Sequence, residues 1–135
     1  MNEEVGLNSK LCDFVDPKLT HEIVDAAVEV HRQLGPGLLE SVYRSCMGRE
    51  LDLRALNHRQ EVPIPIIYKG LEVAAYRADI IVENRALLEL KAVEQILPVH
   101  EAQILTYLKL SKLRVGFLMN FNVTRLSLGL RRFVR

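Results

Sequence analysis

The sequence predicts an α/β chain of the α+β kind, a mixed sheet flanked by helices in the order α-α-β-β-β-α-β-β. Three observations predict it. Apolar residues recur at helical spacing in the first third, the period drops to two in the middle, and one further helical stretch separates the last strands from the rest. Three consecutive strands followed by a helix crossing to another strand call for a mixed sheet with helices on its faces.

Residues 1–16 are mostly polar and show no sustained period, so they are expected to form a flexible arm. Thr20 is expected to cap the first helix, on which Ile23, Ala27, Val30 and Leu34 share a face, and Gly35-Pro36-Gly37 should end it. The second helix is expected from about Leu38 to Ala55, with Leu39, Val42 and Cys46 on its apolar side. Val62, Ile64, Ile66 and Tyr68 then alternate with Pro63, Pro65, Ile67 and Lys69, and the two prolines make this an edge strand or an irregular one. Lys69-Gly70 is a turn. Leu71–Val82 and Arg85–Val93 are the next strands, with Glu83-Asn84-Arg85 as the loop between them. A helix should run from about Val99 to Leu110 and carry Ala102, Leu105 and Leu108. Arg114–Met119 is a short buried strand, and Arg125–Leu130, with leucines at 126, 128 and 130, predicts the last one.

The 135 residues are one domain's worth, expected at 17–135 after the arm. Apolar residues make up 49% and charged residues 26%, and the net charge is +1, so no global field advertises a nucleic-acid partner. Any such partner must be held locally. Cys12 and Cys46 form neither a disulfide framework nor a metal knuckle and are expected as free thiols. The opening MNEEVGLNSK lacks an apolar leader core, and no run of 18 apolar residues occurs. The expectation is a cytoplasmic protein with no membrane partner.

The segment richest in chemistry is RADIIVENRALLELKAV, residues 77–93. Glu89 and Lys91 lie two apart on one strand and share a face, while Asp79 interrupts the apolar run of the strand before. A cross-strand ion pair on the sheet surface is one reading, and such pairs contribute little. A site is the other. Two adjacent acids repel unless a cation sits between them, paired hard oxygens suit Mg²⁺ or Mn²⁺, and a neighbouring lysine can serve a water or a phosphate oxygen. Convergence of Asp79 and Glu89 requires an odd loop centred on Asn84, or a bulge, because a two-residue loop would send Glu89 to the wrong face.

Asp79 followed ten residues later by Glu89-Leu90-Lys91 resembles the acid-then-(D/E)xK signature of PD-(D/E)XK nucleases, with Ala78 where the motif's proline would stand. Gly37 to Tyr43 is similar to the GxxExxY motif of a family of small bacterial proteins in that superfamily, and Gln103 to Tyr107 resembles the QxxxY motif of one of its branches. LGPGLLESVY, YKGLEV, YRADIIV, LELKAV, HEAQILTYLKL and a late NF agree, and the resemblance covers about residues 20 to 135. It implies a restriction-endonuclease-like core and a metal-dependent nuclease acting on DNA or RNA, with DNA favoured. Glu40, Asp79 and Glu89 would be the metal ligands for Mg²⁺ or Mn²⁺, and Lys91 would complete the catalytic set. Gln103, Tyr107 and Tyr43 would contact substrate. The rival is a catalytically weak or inactive module that keeps the fold and binds nucleic acid or protein.

The remaining polar residues weigh toward plainer roles. His31 is expected to pack or cap, and His100 to lie at the surface. Tyr43 is weighted toward packing. Arg125, Arg131, Arg132 and Arg135 divide evenly between gripping phosphates and ending a solvated strand.

Overall fold

The first helix of the computed structural model, α1 (Pro17–Leu34), begins earlier than Thr20 because a better cap precedes it. Asp16 Oδ1 accepts from the Lys18 and Leu19 amides at 3.0 and 3.2 Å, and Pro17 sits in the first turn, where its missing N–H costs nothing. Thr20 lies within that first turn, and its hydroxyl donates to the Pro17 carbonyl. The structure describes residues 16–135, so the expected arm and Cys12 fall outside it except for Asp16, which belongs to the fold. Gly35 and Gly37 end α1 with φ of 69° and 103°, a region that suits a residue without a side chain.

Helix α2 (Glu40–Leu53) buries Tyr43, Met47 and Leu51. The expected apolar face is the packed one only in part: Cys46, Leu51 and Leu56 join the core, but Leu39 is 72% exposed and Val42 is also exposed, whereas Tyr43 is fully buried. Leucines stand on both sides of this helix, so period alone could not select the packed side. At Gly48 a Cβ would come within 2.1 Å of Gln60 Nε2, which shows how closely α2 approaches the first strand.

The strands are β1 (His58–Tyr68), β2 (Leu71–Val82), β3 (Ala86–Lys91), β4 (Val115–Asn120) and β5 (Leu130–Val134), paired in that order in one five-stranded sheet. Only β3 and β4 run parallel, joined through α3 (Pro98–Ser111). The proline-bearing β1 is an edge, as Pro63 and Pro65 require. Its turn to β2 carries positive φ at Lys69 and Gly70, the backbone a tight hairpin needs.

The last strand is displaced from its expected place. Leu126–Leu128 forms a single 3₁₀ turn, closed by Leu128 N–H to the Arg125 carbonyl and Gly129 N–H to the Leu126 carbonyl. Leu126 is buried and Leu128 is exposed, so the alternating leucines never shared a face. The sheet resumes at Leu130, which pairs with Met119.

Two apolar clusters cover the two faces. Helices α1 and α2 pack on Ile80, Val82, Leu88, Leu90, Phe117 and Met119. Helix α3 packs through Ile104, Tyr107 and Leu108 on Ile81, Leu87, Leu118 and Phe133. The expected α3 face was a residue off, with Ala102 exposed and Leu105 only half-buried. No helix among the described residues is long and apolar enough to cross a membrane.

Candidate active site

The site begins at a parity. Ile80 pairs with Leu88, Ile81 with Leu87 and Val82 with Ala86, so the β2–β3 loop is the three residues Glu83-Asn84-Arg85, centred on Asn84 as convergence requires. Glu83 and Asn84 adopt φ of 53° and 54°. Continuing that register sets Asp79 opposite Glu89. Backbone pairing stops at Ile80–Leu88, however, and the two carboxylates fill the gap where the ladder ends. The Asp79 amide donates to Glu89 Oε2 at 3.0 Å, and the Leu90 amide donates to Asp79 Oδ2 at 2.7 Å. Two orphaned amides at diverging strands are thus satisfied by the two acids crosswise.

The strand alternation also breaks here. Ala78 and Ile81, three apart on β2, both join the α3-side cluster, so the two-residue period is lost between them, at Asp79. Glu61, at the position facing Asp79 on β1, has φ of 50°. A departure from regular strand on both chains therefore marks the point where the acid is presented.

The electrostatics are those of two like charges out of water. Glu89 is 6% exposed. Burial first, and the Asp79 charge second, push its carboxyl up to about 8, against the opposing pull of the Asp79 N–H and Lys91. Burial also raises Asp79, offset by the Leu90 N–H, Arg44 and Lys91. Glu40 raises both acids, which places its charge within their reach. Its own Oε2 accepts from the Ala92 amide at 3.4 Å, just past the end of β3.

The three acids expected to hold one or two ions are therefore a crosswise pair with a third arm from α2 at the end of β3. Among the described residues no group of three acidic, histidine or cysteine side chains stands ready-made for a metal. The donor chemistry nevertheless fits a hard divalent cation. Half-buried Asp79 and buried Glu89 offer carboxylate oxygens whose mutual repulsion a cation relieves, and Mg²⁺ is commonly held by one or two carboxylates with water completing its shell. Lys91 is half-buried, acts on both acids, and makes no ion pair among the described residues, so its ammonium is uncommitted.

The other expected site residues separate. Tyr107 is 8% exposed on α3, and its hydroxyl is raised by burial first and then by Glu89, Tyr76 and Asp79, so it lies in the field of the acid pair. Gln103, one turn earlier, is exposed with its amide free of recorded partners. Tyr43 does not face this site. Its hydroxyl donates to the Gly35 carbonyl at 2.5 Å and accepts from the Leu38 amide at 3.2 Å, while its ring stacks on Phe121 at 4.6 Å. The substrate-contact role expected for Tyr43 is corrected accordingly: it ties the GPG turn to the core.

His31 is buried with Nε2 2.8 Å from the Val123 carbonyl, and His100 Nδ1 accepts from the Leu97 amide at the start of α3. Both have structural duties. Of the four arginines, Arg131 pairs with Glu101 and Arg135 donates to the Leu113 carbonyl, so the strand-end account describes those two.

Two residues were missed. Arg44 stands on α2 one turn after Glu40, with Nη1 3.7 Å from Asp79 Oδ1. Its i,i+4 spacing from Glu40 was the available signal. Asn120 is 2% exposed and grips the chain just beyond Lys91: its amide donates to the Val93 carbonyl at 2.9 Å and its carbonyl accepts from the Val93 and Asn122 amides. The Phe121 amide adds a bond to the Lys91 carbonyl. Only the late NF pair hinted at it.

A family model of the PD-(D/E)XK nuclease superfamily matches residues 17–133, from the first turn of α1 to β5. No match was found among curated proteins or among solved structures. The match spans every element that builds the site, and the five-stranded mixed sheet with helices on both faces has the architecture of that fold. The chain therefore belongs to the PD-(D/E)XK nuclease superfamily.

Proposed function

We propose that this chain is a Mg²⁺- or Mn²⁺-dependent nuclease that hydrolyses phosphodiester bonds of DNA or RNA. The observation that carries the reading is the pair of half-buried Asp79 and buried Glu89, bound crosswise to each other's strands beside the uncommitted ammonium of Lys91. A bound divalent ion supplies Lewis acidity, lowering the pKa of water and stabilising charge on phosphate oxygens. Asp79 and Glu89 would hold it, with Glu40 adding charge from α2. Lys91 would donate to the phosphate oxygen that gains charge or orient the attacking water. Gln103, exposed on α3, would offer a donor and an acceptor to the substrate, and Tyr107, one turn later, would offer its phenol. Superfamily membership supports a nucleic-acid substrate.

A second reading, a nucleic-acid-binding or protein-interaction module without useful catalysis, is favoured by Arg44, whose guanidinium gives Asp79 a positive neighbour without any ion. The test that decides between them is cleavage of single- and double-stranded DNA and RNA in Mg²⁺, in Mn²⁺ and in chelator, beside melting temperature against ion concentration. The enzyme reading expects metal-dependent cleavage and a rise in stability of about 2.7 kcal/mol at a hundredfold excess over Kd. Metal-dependent stabilisation without any cleavage supports the module. Absence of both the cleavage and the stabilisation overturns the metal site.

A further inference from the structure

We propose that Tyr76 is a base-stacking platform and that the site takes single-stranded nucleic acid, one base resting on that ring beside the scissile phosphodiester. The proposal rests on the nuclease reading and narrows its substrate.

Tyr76 lies on β2 three residues before Asp79, about 10 Å along an extended strand. It is 50% exposed, although its ladder partner Ile64 is buried against the α3-side cluster. Its ring meets that of Tyr107 at 5.9 Å and 58°, and Tyr107 lies in the field of Glu89 and Asp79. The phenol is thus supported by the ladder and by a buried neighbour, open to solvent elsewhere, and three residues along β2 from Asp79. An aromatic ring so held has lost little further freedom to lose on binding, the condition under which stacking contributes most.

Charge decides the strandedness. Proteins that hold duplexes without sequence preference draw their affinity from phosphate contacts. Here 18 basic residues face 17 acidic ones. The arginine next to Tyr76, Arg77, is paired with Glu61 at 3.4 Å, and Arg131 beyond α3 is paired with Glu101. A surface so neutralised grips a phosphate backbone weakly. Stacking does not need charge, tolerates any base, and is open only to a strand whose base faces are uncovered. A flexible strand also suits acids that lie recessed, with Glu89 6% exposed.

The test compares wild type, Tyr76→Phe, Tyr76→Leu and Tyr76→Ala. Each is titrated by fluorescence anisotropy with a labelled single-stranded oligonucleotide, its duplex, and a strand of the same length made of abasic units. Cleavage is followed in parallel. Leu keeps apolar bulk without a π face, and melting temperatures establish that each variant folds. The expected result is single-strand affinity weakened roughly tenfold in Tyr76→Leu and Tyr76→Ala and retained in Tyr76→Phe. KM should rise with it while kcat holds, and abasic and duplex binding should not respond. Equal single-strand affinity in wild type and Tyr76→Ala, or an equal loss on the abasic strand, overturns the stacking. A loss of self-association in its place assigns Tyr76 to a protein contact and also overturns it. Wild type that cleaves normally while the Tyr76 variants match it leaves the nuclease reading standing, whereas wild type that neither binds nor cleaves any of the three probes overturns both.

Discussion

Two tyrosines, one on each side of the sheet, began with the same standing in the sequence and ended with different ones. Tyr43 follows Glu40 by three residues on α2, and Tyr107 follows Gln103 by four on α3, so each shares a helix face with a polar partner. On the α1/α2 side the tyrosine is sealed, its hydroxyl spent on the backbone of the GPG turn and its ring on Phe121. On the α3 side burial first, and Glu89, Tyr76 and Asp79 after it, raise the phenol, and no hydrogen bond to its hydroxyl exists among the described residues. The difference teaches that a motif's chemistry lies in which atoms its polar groups have already satisfied. The α1/α2 side carries stability and delivers Glu40 and Arg44 toward the acid pair, while Lys91 and the uncommitted Tyr107 belong to the side that α3 covers.

The largest effects should fall on the α3 face. Lys91→Ala should lower cleavage by about 10²–10³-fold if its ammonium meets the developing charge, with ion affinity held or raised because a positive neighbour is gone. Asp79→Asn should lower cleavage at least as far and also remove the ion-dependent rise in melting temperature. A Lys91→Ala variant that keeps full activity would break the contrast between the faces.

Next in size is the opposite face. Tyr43→Phe leaves the part-buried Gly35 carbonyl and Leu38 amide without their shared partner, at a cost of about 0.5–1.5 kcal/mol in stability. Activity per folded molecule should be unchanged. Denaturant titration beside active-site-normalised kinetics checks both halves. A Tyr43→Phe protein of normal stability and impaired turnover would return this residue to the site.

The pH dependence sharpens the comparison further. Glu89 has a folded-state pKa raised from 4.5 to about 8, so the folded state binds more protons than the unfolded state between those values. The contribution from Glu89 is fully present below pH 4.5 and is lost as pH rises through about 8. Melting temperature in chelator should therefore decline over that window. Excess Mg²⁺ should flatten the decline, since a cation favours the ionised pair. Glu89→Gln should weaken this pH dependence, leaving the part that the raised Asp79 contributes, and an unchanged decline in that variant would assign it elsewhere.

The smallest effect belongs to Tyr107→Phe. The hydroxyl has no hydrogen bond to lose, so stability should shift within about 0.5 kcal/mol. Its influence should be confined to substrate affinity. A stability loss matching that of Tyr43→Phe would show that both tyrosines are structural and erase the contrast.

The sequence by itself determined the element order, the edge position of β1, the Lys69-Gly70 turn and the odd loop at Asn84, because period, proline and turn chemistry act over a few neighbouring residues. The candidate pair Asp79 and Glu89 was legible for the same reason: strand parity is local, and two acids in an apolar run are conspicuous. Tertiary structure decided what depends on distant partners. The phases of α2 and α3 escaped the periodicity because leucines occupy both sides of each helix, and only packing chooses a face. The last strand escaped because leucines at 126, 128 and 130 mimic alternation, while backbone bonds close a turn and the sheet resumes beside Met119. Arg44 and Asn120 were hidden because their roles are bonds to Asp79 and Val93, 35 and 27 residues away. That Glu40 reaches Ala92 rather than joining a ready-made cluster was decided by the same long-range placement of α2 on the end of β3. Local rules act along the chain, whereas a carboxylate's partners and a tyrosine's freedom are set by whichever segments folding brings beside them.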